Sequence, residues 1–237
     1  MIKASHKKWA DLIFHPYLHG LLNHHFYAIH LLGPIPETEP LKPLLVLPNH
    51  SSWWDGFFIY LLNKKCLHRK TYLMMLERQL KPNRFFRFLG AYSIAPGRAK
   101  EVKRSLEYTA DLLNRQRDPA MICFFPQGEL LPWHIRPIHF GRGLEFIFNR
   151  IENEIQLGFL GIRIEFLEQQ RPEVFMELSP LKIIGPQNDF SLSEFESEFN
   201  IFLDRIERKM IKGDRGSLLF QGKKSINEQI QVIRKYE

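Results

Sequence analysis

The stretch LPNHSSWWDGFFIY, residues 47–60, joins an apolar run to a helix through a short polar loop. The run Leu44–Leu47 predicts a buried strand, and Pro48 ends it because proline cannot donate to a strand ladder. The spacing Ser-x-x-Asp predicts a helix over residues 52–63, with Ser52 as its N-cap and Asp55 in its first turn. A strand, a tight loop and a helix in this order are typical of α/β folds.

The predicted cap explains Asp55 but leaves His50 unexplained. His50 falls in a strand-to-helix loop, and such loops carry the ligand sites of open α/β proteins. Side chains five residues apart on one helix point to different faces, so His50 can meet Asp55 only from outside the helix. A carboxylate on one imidazole nitrogen makes the other nitrogen a better base. The alternative is an ordinary helix start in which this histidine has no chemical role.

The rest of the chain alternates between apolar strands and helices. Strands are predicted at residues 71–76, 91–94 and 120–125, and helices at 76–90 and 98–116; residues 155–167 and 173–184 read as a closing strand pair, and 191–213 as a helix. For that last helix, Ser191 and Glu194 predict a capping box and Gly213 predicts the end. The expected fold is one α/β domain, residues 36–237, with a mainly parallel central sheet flanked by helices.

Residues 1–35 are predicted to form a separate amphipathic segment. Residues 6–33 mix aromatic and aliphatic side chains with lysine and histidine, and Pro16 and Gly20 divide them into two short helices. Helices of this kind bind the surface of a membrane, although packing against the protein's own core is the alternative. Apolar runs are too short to span a bilayer, so we expect a cytoplasmic protein attached peripherally to the inner face of the membrane.

The net charge indicates the kind of partner, and the two cysteines bear on metal binding and on the redox compartment. The net charge is +7 and the pI about 9.4, which favours an anionic partner such as a phosphate-bearing substrate or an anionic membrane surface. Nucleic acid is not expected, because the sequence has no helix-turn-helix, zinc or aromatic RNA-binding signature. Cys66 and Cys123 lack metal-ligand spacing, so we expect no metal site, and Cys123 reads as a buried thiol in a reducing compartment.

A second stretch, CFFPQGELLP at residues 123–132, has the same form as the first. An apolar strand ends at Pro126, Gly128 permits a tight turn, and the polar residues Gln127 and Glu129 flank that glycine. By itself this pattern indicates an ordinary turn at the end of a strand.

Taken together, in this order and separation, the two stretches resemble the glycerolipid acyltransferase family, which includes the lysophosphatidate acyltransferases. NHSSWWD resembles that family's Asn-His-x4-Asp block, and FFPQGE resembles its Phe-Pro-Glu-Gly-Thr block; GAYSIAPGR (90–98) and FGRG (140–143) are looser matches. The sequence departs from the family pattern at Gln127 and Glu129, which stand for glutamate and threonine, and at Gly141, which stands for lysine. Pro96 occupies the place of an arginine, and Arg98 follows two residues later.

The resemblance implies transfer of a fatty acyl group from an acyl thioester, coenzyme A or acyl carrier protein, to a hydroxyl of a lysophospholipid-type acceptor, with lysophosphatidate favoured. His50 would be the general base, Asp55 would orient it, and no cofactor is needed. The residues expected to bind substrate are Arg98, Pro126, Gln127, Gly128, Glu129 and Arg142. The alternatives are a non-phosphorylated lipid alcohol, such as a glycolipid or terpenoid glycoside, as acceptor, and a lipid-binding protein without catalysis.

Overall fold

The computed structural model describes residues 1–115, 118–186 and 190–224, in which strands and helices alternate. The strands are β1 (Ala28–Leu31), β2 (Leu44–Pro48), β3 (Thr71–Leu76), β4 (Ala91–Ile94), β5 (Met121–Cys123), β6 (Ile155–Glu165), β7 (Glu173–Leu178), β8 (Lys182–Ile184) and β9 (Ser217–Gln221). The helices are α1 (Lys8–His25), α2 (Asp55–Leu62), α3 (Glu77–Leu80), α4 (Ala99–Leu113), α5 (Gly143–Phe148) and α6 (Leu192–Ile211). A π-helical turn, Asn63–Leu67, extends α2, and a 3₁₀ helix, Arg84–Leu89, precedes β4.

The strands of the described ranges form one sheet in the order β4-β3-β5-β2-β6-β7-β1-β9, with β8 paired to β6. Strand β2 is central and parallel to both β5 and β6, and β3 is parallel to β4 and β5. Antiparallel pairs join β6 to β7 and β8, and β1 to β9. The predicted mainly parallel sheet is therefore confirmed, and the carboxyl ends of β2 to β6 share one edge.

Both faces of the sheet are covered by helices. Along β2, Leu45 and Leu47 pack in the core beneath α4, α5 and α6, whereas Leu44 and Val46 pack in the core beneath α1 and α2. This alternation, with both faces buried, explains why β2 reads as a continuous apolar run. In the described part of the chain, no helix combines the length and apolarity that crossing a membrane requires.

The N-terminal region differs from the prediction. A single helix, α1, runs through Pro16, so the division into two short helices was wrong. Its buried residues recur every four positions, both before and after Pro16: Ala10, Phe14, Leu18 and Leu22. Packing of this continuous face offsets the backbone hydrogen bond that proline removes. The following residues, 28–31, form β1, which joins the sheet beside β7 and was not predicted.

Of two other predicted helices, one is interrupted and the other agrees with the prediction. The helix expected over residues 76–90 is divided into α3 and the 3₁₀ helix, because Pro82 interrupts it. Helix α6 agrees with the prediction: Ser191 Oγ accepts a hydrogen bond from the N–H of Glu194 at 3.4 Å, and Gly213 follows with φ +81°. Cys123 is buried as predicted, and its burial raises the pKa of the thiol.

Gly90 provides a test of the packing between β3 and β4. Its φ is +107°, and an added Cβ would lie 2.0 Å from the carbonyl oxygen of Thr71. Gly90→Ala should therefore lower the free energy of unfolding by about 2–4 kcal/mol, measured by urea denaturation. Gly213→Ala is the matched control, since its φ is +81° but no atom lies within 4 Å of the added Cβ. Equal losses of stability in the two variants would contradict this account of Gly90.

Candidate active site

Two side chains from different elements meet at the carboxyl edge of the sheet. His50 lies in the loop after β2, and Asp55 is the first residue of α2. His50 Nδ1 lies 2.8 Å from Asp55 Oδ2, and because an ionised carboxylate only accepts hydrogen bonds, Nδ1 is the donor. The His50 side chain is 28% exposed, whereas that of Asp55 is fully buried. The contact leaves Nε2 as the acceptor nitrogen of the ring, which is the arrangement of a general base.

Asp55 is held through one of its two carboxylate oxygens. Oδ2 also accepts hydrogen bonds from the backbone N–H groups of Ser51 and Ser52, at 2.9 and 3.0 Å. Oδ1 is buried and has no hydrogen-bond partner among the residues that the structure describes. Two amides and one imidazole therefore converge on a single buried oxygen, and they orient the carboxylate toward the ring.

The predicted N-cap was wrong. The Ser52 hydroxyl accepts from the N–H of Trp54 at 2.9 Å and does not bond the N–H of Asp55. Helix α2 begins at Asp55, and Trp54 occupies the N-cap position with helical backbone angles. The serine hydroxyl forms a local turn instead of the cap. The Asp55 carboxylate still accepts from the N–H of Ser52, which is the hydrogen bond that the acidic residue makes in a capping box.

The loop after β5 lies against His50. The Phe125 ring stacks on the imidazole, with the ring centroids 4.2 Å apart. Gln127 Oε1 accepts from the backbone N–H of His50 at 2.6 Å, and the N–H of Leu131 donates to the carbonyl of His50 at 2.9 Å. The two stretches that the sequence analysis paired are thus joined by direct contacts, which follow from the parallel pairing of β2 with β5.

Asn49 fixes the end of β2 to its other neighbour, β6. Its Oδ1 accepts from the N–H of Ile162 at 2.7 Å, and its Nδ2 donates to the carbonyl of the same residue at 3.0 Å. Asn49 is buried, so both of its polar atoms need these partners. His50 is therefore flanked by contacts to β5 on one side and to β6 on the other.

The other residues of the second stretch that were expected to bind substrate do not contact His50 through their side chains. Pro126 is buried, and its carbonyl accepts from the N–H of Gly141 at 2.7 Å. Gly128 has φ +74°, and its N–H donates to the carbonyl of Phe125 at 3.2 Å, so this amide is engaged within the turn. Glu129 is exposed. Of these four residues, Gln127 is the one whose side chain the structure brings to His50.

The two arginines expected to bind substrate lie outside this contact network. Arg98 donates to Glu77 and is 59% exposed; this hydrogen bond lowers the pKa of the Glu77 carboxyl. Arg142 is 90% exposed and lies 3.6 Å from Glu145. Arg98 precedes the first turn of α4, at the carboxyl edge of β4. Within the described ranges, neither arginine hydrogen-bonds to His50, Asp55 or Gln127.

Two residues that shape the site were not predicted from the sequence. Asn49 lies in the Asn-His-x4-Asp block, and its polarity beside a buried strand was the signal for a structural role. Phe125 sits in an apolar run, and no feature of that run distinguishes the ring that stacks on His50.

Comparison with known proteins gives the family of the chain. The curated proteins contain no match to this sequence. Among solved structures, the crystal structure of the 1-acyl-sn-glycerophosphate (LPA) acyltransferase PlsC from Thermotoga maritima is similar, with a TM-score of 0.49 and 15% identity, covering 76% of this chain and 72% of that chain. The model of the Acyltransferase family matches residues 28–146, just over half of the 237 residues. The protein is therefore an acyltransferase and belongs to the Acyltransferase family.

Proposed function

We propose that the protein transfers a fatty acyl group from an acyl thioester to a hydroxyl of a lysophospholipid-type acceptor, with lysophosphatidate favoured. The observation that carries this proposal is the 2.8 Å contact between His50 Nδ1 and the buried Asp55 carboxylate, which leaves Nε2 available as a base. A lipid-binding protein without catalysis would have no use for this pair. The donor is coenzyme A or acyl carrier protein, which present the same thioester.

The proposed reaction uses the imidazole twice. Nε2 of His50 removes the proton of the acceptor hydroxyl while the hydroxyl oxygen attacks the thioester carbonyl carbon. The tetrahedral intermediate collapses by breaking its carbon–sulfur bond, and the thiolate that leaves takes the proton from the imidazolium. Asp55 stabilises that imidazolium and holds the ring in the required tautomer. No covalent acyl-enzyme and no metal is part of this scheme.

Substitution of the pair tests this chemistry. His50→Ala should lower kcat by roughly 10²–10⁴-fold while the protein still folds, because the backbone N–H groups of Ser51 and Ser52 continue to bind the Asp55 carboxylate. Asp55→Asn should lose less, since the amide oxygen can still accept but the compensating charge is gone. His139→Ala, which removes a 74% exposed ring from the loop after β5, should retain full activity. A His50→Ala protein that transfers acyl groups at the wild-type rate would refute the proposal.

The acceptor's phosphate is proposed to bind near Arg98. Arg98 donates to Glu77 through Nη2 and lies at the amino end of α4, where the helix dipole favours an anion. An apolar groove of about 430 Å³ between α4 and α5, lined by Gly97, Ala99, Val102, Lys103, Leu106 and Phe146, adjoins it and suits an alkyl chain. The engagement of Arg98 by Glu77 favours the second candidate, an uncharged lipid alcohol, because a paired arginine attracts a phosphate less strongly.

A comparison of acceptors separates the two candidates. The specificity constant kcat/KM for lysophosphatidate should exceed that for its dephosphorylated analogue. Arg98→Ala should reduce this preference by roughly tenfold, the effect of losing one hydrogen bond to a charged group. Hydrolysis of the acyl thioester by water should be unchanged. Arg104→Ala is the matched control, because Arg104 in α4 is, like Arg98, an exposed arginine paired with a glutamate. Equal constants for both acceptors in wild type and Arg98→Ala would favour the uncharged alcohol.

Helix α1 carries the surface proposed to contact the membrane, at its inner face. We name Trp9, Leu12, Ile13 and Tyr17 the outer stripe; these residues are 47, 73, 59 and 62% exposed and share one helix face. Exposed Lys7 and Lys8 stand at the amino end of the helix, where they would attract anionic lipid. Aromatic contacts connect α1 to the site, since Phe14 packs on Phe57 and Phe57 on the exposed Trp53.

Vesicle binding tests the outer stripe. Leu12→Gln combined with Ile13→Gln should weaken co-sedimentation with anionic vesicles at least about tenfold, because two apolar side chains no longer enter the interface. Added salt should weaken binding of the wild-type protein by screening the lysines. Ile201→Gln with Ile211→Gln removes two exposed aliphatic side chains from α6 and should bind as wild type does. Equal binding by both double variants would exclude the outer stripe as the contact.

A further inference from the structure

The loop that follows β5 is closed on itself by a backbone hydrogen bond. The N–H of Gly141 donates to the carbonyl of Pro126 at 2.7 Å, so the chain returns to the point where it left the strand. Compact loops whose ends meet in this way are Ω-loops, and we name the segment from Pro126 to Gly141 the Ω-loop. Its first half holds the backbone of His50 on both sides, through the side chain of Gln127 and the N–H of Leu131.

The second half of the Ω-loop is fastened to α6. Oδ1 of Asn200 accepts from the N–H of Ile138 at 2.8 Å, and Nδ2 of the same asparagine donates to the carbonyl of Ile138 at 2.9 Å. Oε1 of Glu196 accepts from the N–H of Phe140 at 2.6 Å. Asn200 and Glu196 are four residues apart, so their side chains lie on the same face of α6. Three backbone groups of the loop are therefore bound by two side chains of one helix.

The middle of the Ω-loop connects its two halves through packed side chains. The guanidinium of Arg136 lies over the Trp133 ring, 5.0 Å from the centroid, and its Nη1 donates to the carbonyl of Trp133. Arg163 of β6 lies over the same ring at 5.2 Å. Nε of Arg136 also lies 3.6 Å from Oδ1 of Asp204, which is on α6. A displacement at the α6 end is therefore passed on toward Leu131 through packed groups.

Helix α6 is a rigid support for these contacts. Its buried residues pack in the core: Phe199, Phe202, Leu203 and Ile206. An added Cβ on Gly161 of β6 would lie 2.1 Å from Cδ1 of Ile206, so the helix packs closely against the backbone of that strand. On β7, the buried carboxylate of Glu177 accepts from Arg205 and Lys209 of the helix. The Ω-loop is thus fastened to an element whose own position is set by β6 and β7.

We propose that Asn200 and Glu196 are positioning residues for acyl transfer: they hold the Ω-loop, and the loop holds the backbone of His50 beside Asp55. This inference rests on the acyl transfer proposed above. Within the described ranges, neither residue hydrogen-bonds to His50 or Asp55, so both act through the loop. The family model matches residues 28–146, and α6 lies beyond them, so this support is outside the matched region.

The asparagine contact suits a positioning role. One amide that pairs with both the N–H and the carbonyl of Ile138 fixes the orientation of that residue as well as its place, because the donor and the acceptor cannot be exchanged. A general base must lie within hydrogen-bond reach of the proton that it removes. A misplacement of about 1 Å, caused far from the chemistry, can lower the rate by about a hundredfold.

Four variants separate positioning from general stability. Asn200→Ala removes both bonds to Ile138. Glu196→Ala removes the acceptor of the Phe140 N–H, whereas Glu196→Gln keeps that acceptor and removes only the charge. Asn63→Ala is the matched control, because Asn63 pairs in the same way with one residue at the amino end of β3, away from the site. It accepts from the N–H of Arg69 at 2.9 Å and donates to the Arg69 carbonyl at 2.7 Å.

For Asn200→Ala, kcat should fall by about 10- to 100-fold with lysophosphatidate and with its dephosphorylated analogue alike, because one base serves both hydroxyls. Glu196→Ala should also lose activity, and Glu196→Gln should retain it. Asn63→Ala should lower the melting temperature as much as Asn200→Ala does and leave kcat unchanged. In nitrogen-15 NMR of histidine-labelled protein, Asn200→Ala should reduce the fraction of His50 rings protonated on Nδ1, and Asn63→Ala should not.

Three results would overturn the inference. Wild-type kcat in a folded Asn200→Ala protein would show that the contact serves the fold alone, and equal losses of kcat in Asn200→Ala and Asn63→Ala would assign the effect to stability. If Asn200→Ala does not fold, the two Glu196 variants decide, and equal kcat in both would contradict the inference. An active His50→Ala protein would instead refute the acyl-transfer chemistry, while the NMR comparison would still report whether α6 positions the ring.

Discussion

The site depends on one buried oxygen, Oδ2 of Asp55, which accepts from two backbone amides and from the imidazole of His50. The amides belong to the loop that leaves β2, and the carboxylate belongs to the first residue of α2. The Asp55 carboxylate therefore links the loop after β2 to the first residue of α2, and it also orients the imidazole of His50. The helix dipole stabilises a negative charge at the amino end of a helix, so the position of Asp55 at the start of α2 is also favourable for its carboxylate. Removing it would leave two amide donors and an imidazole donor without their common acceptor.

The sheet supplies the second constraint. Parallel strands β5, β2 and β6 are neighbours, so the loops at their carboxyl ends lie side by side. Gln127 from the β5 loop and Asn49 from the β2 loop hold His50 between them, and Asn49 bonds directly to β6. Because β2 is buried on both faces, its end is a rigid support for these polar groups. The polar contacts around the base thus come from three adjacent strands, as expected where a ligand site is placed at the carboxyl edge of a parallel sheet.

The sequence predicted those features whose signal is local. The alternation of strands and helices, the extent of β2, the end of α6 at Gly213 and the pairing of His50 with Asp55 all depend on residues within one element or its adjoining loop. Features that depend on distant pairing were not predictable. Strands β1 and β9 are short and form one end of the sheet by pairing with each other, and the contact of Gln127 with His50 spans 77 residues. Arg98 illustrates the same limit, because its partner Glu77 follows a different strand. The N-cap predicted at Ser52 was wrong for another reason. A serine hydroxyl can accept from a backbone N–H in a local turn or at a helix start, and the Ser-x-x-Asp spacing does not distinguish the two.

The proposed chemistry depends on the tautomer of His50, which can be measured. A general base at this position must be a neutral imidazole that donates its Nδ1 proton to Asp55 and has a free lone pair on Nε2. Nitrogen-15 NMR of histidine-labelled protein at neutral pH, with His50→Gln used to assign the signals, reports which nitrogen carries the proton. The expected spectrum has a protonated Nδ1 and an unprotonated Nε2 for His50, and Asp55→Asn should weaken that preference. A His50 ring protonated on Nε2 in the wild-type protein would contradict the account, because the nitrogen that must accept the proton of the acceptor would already hold one.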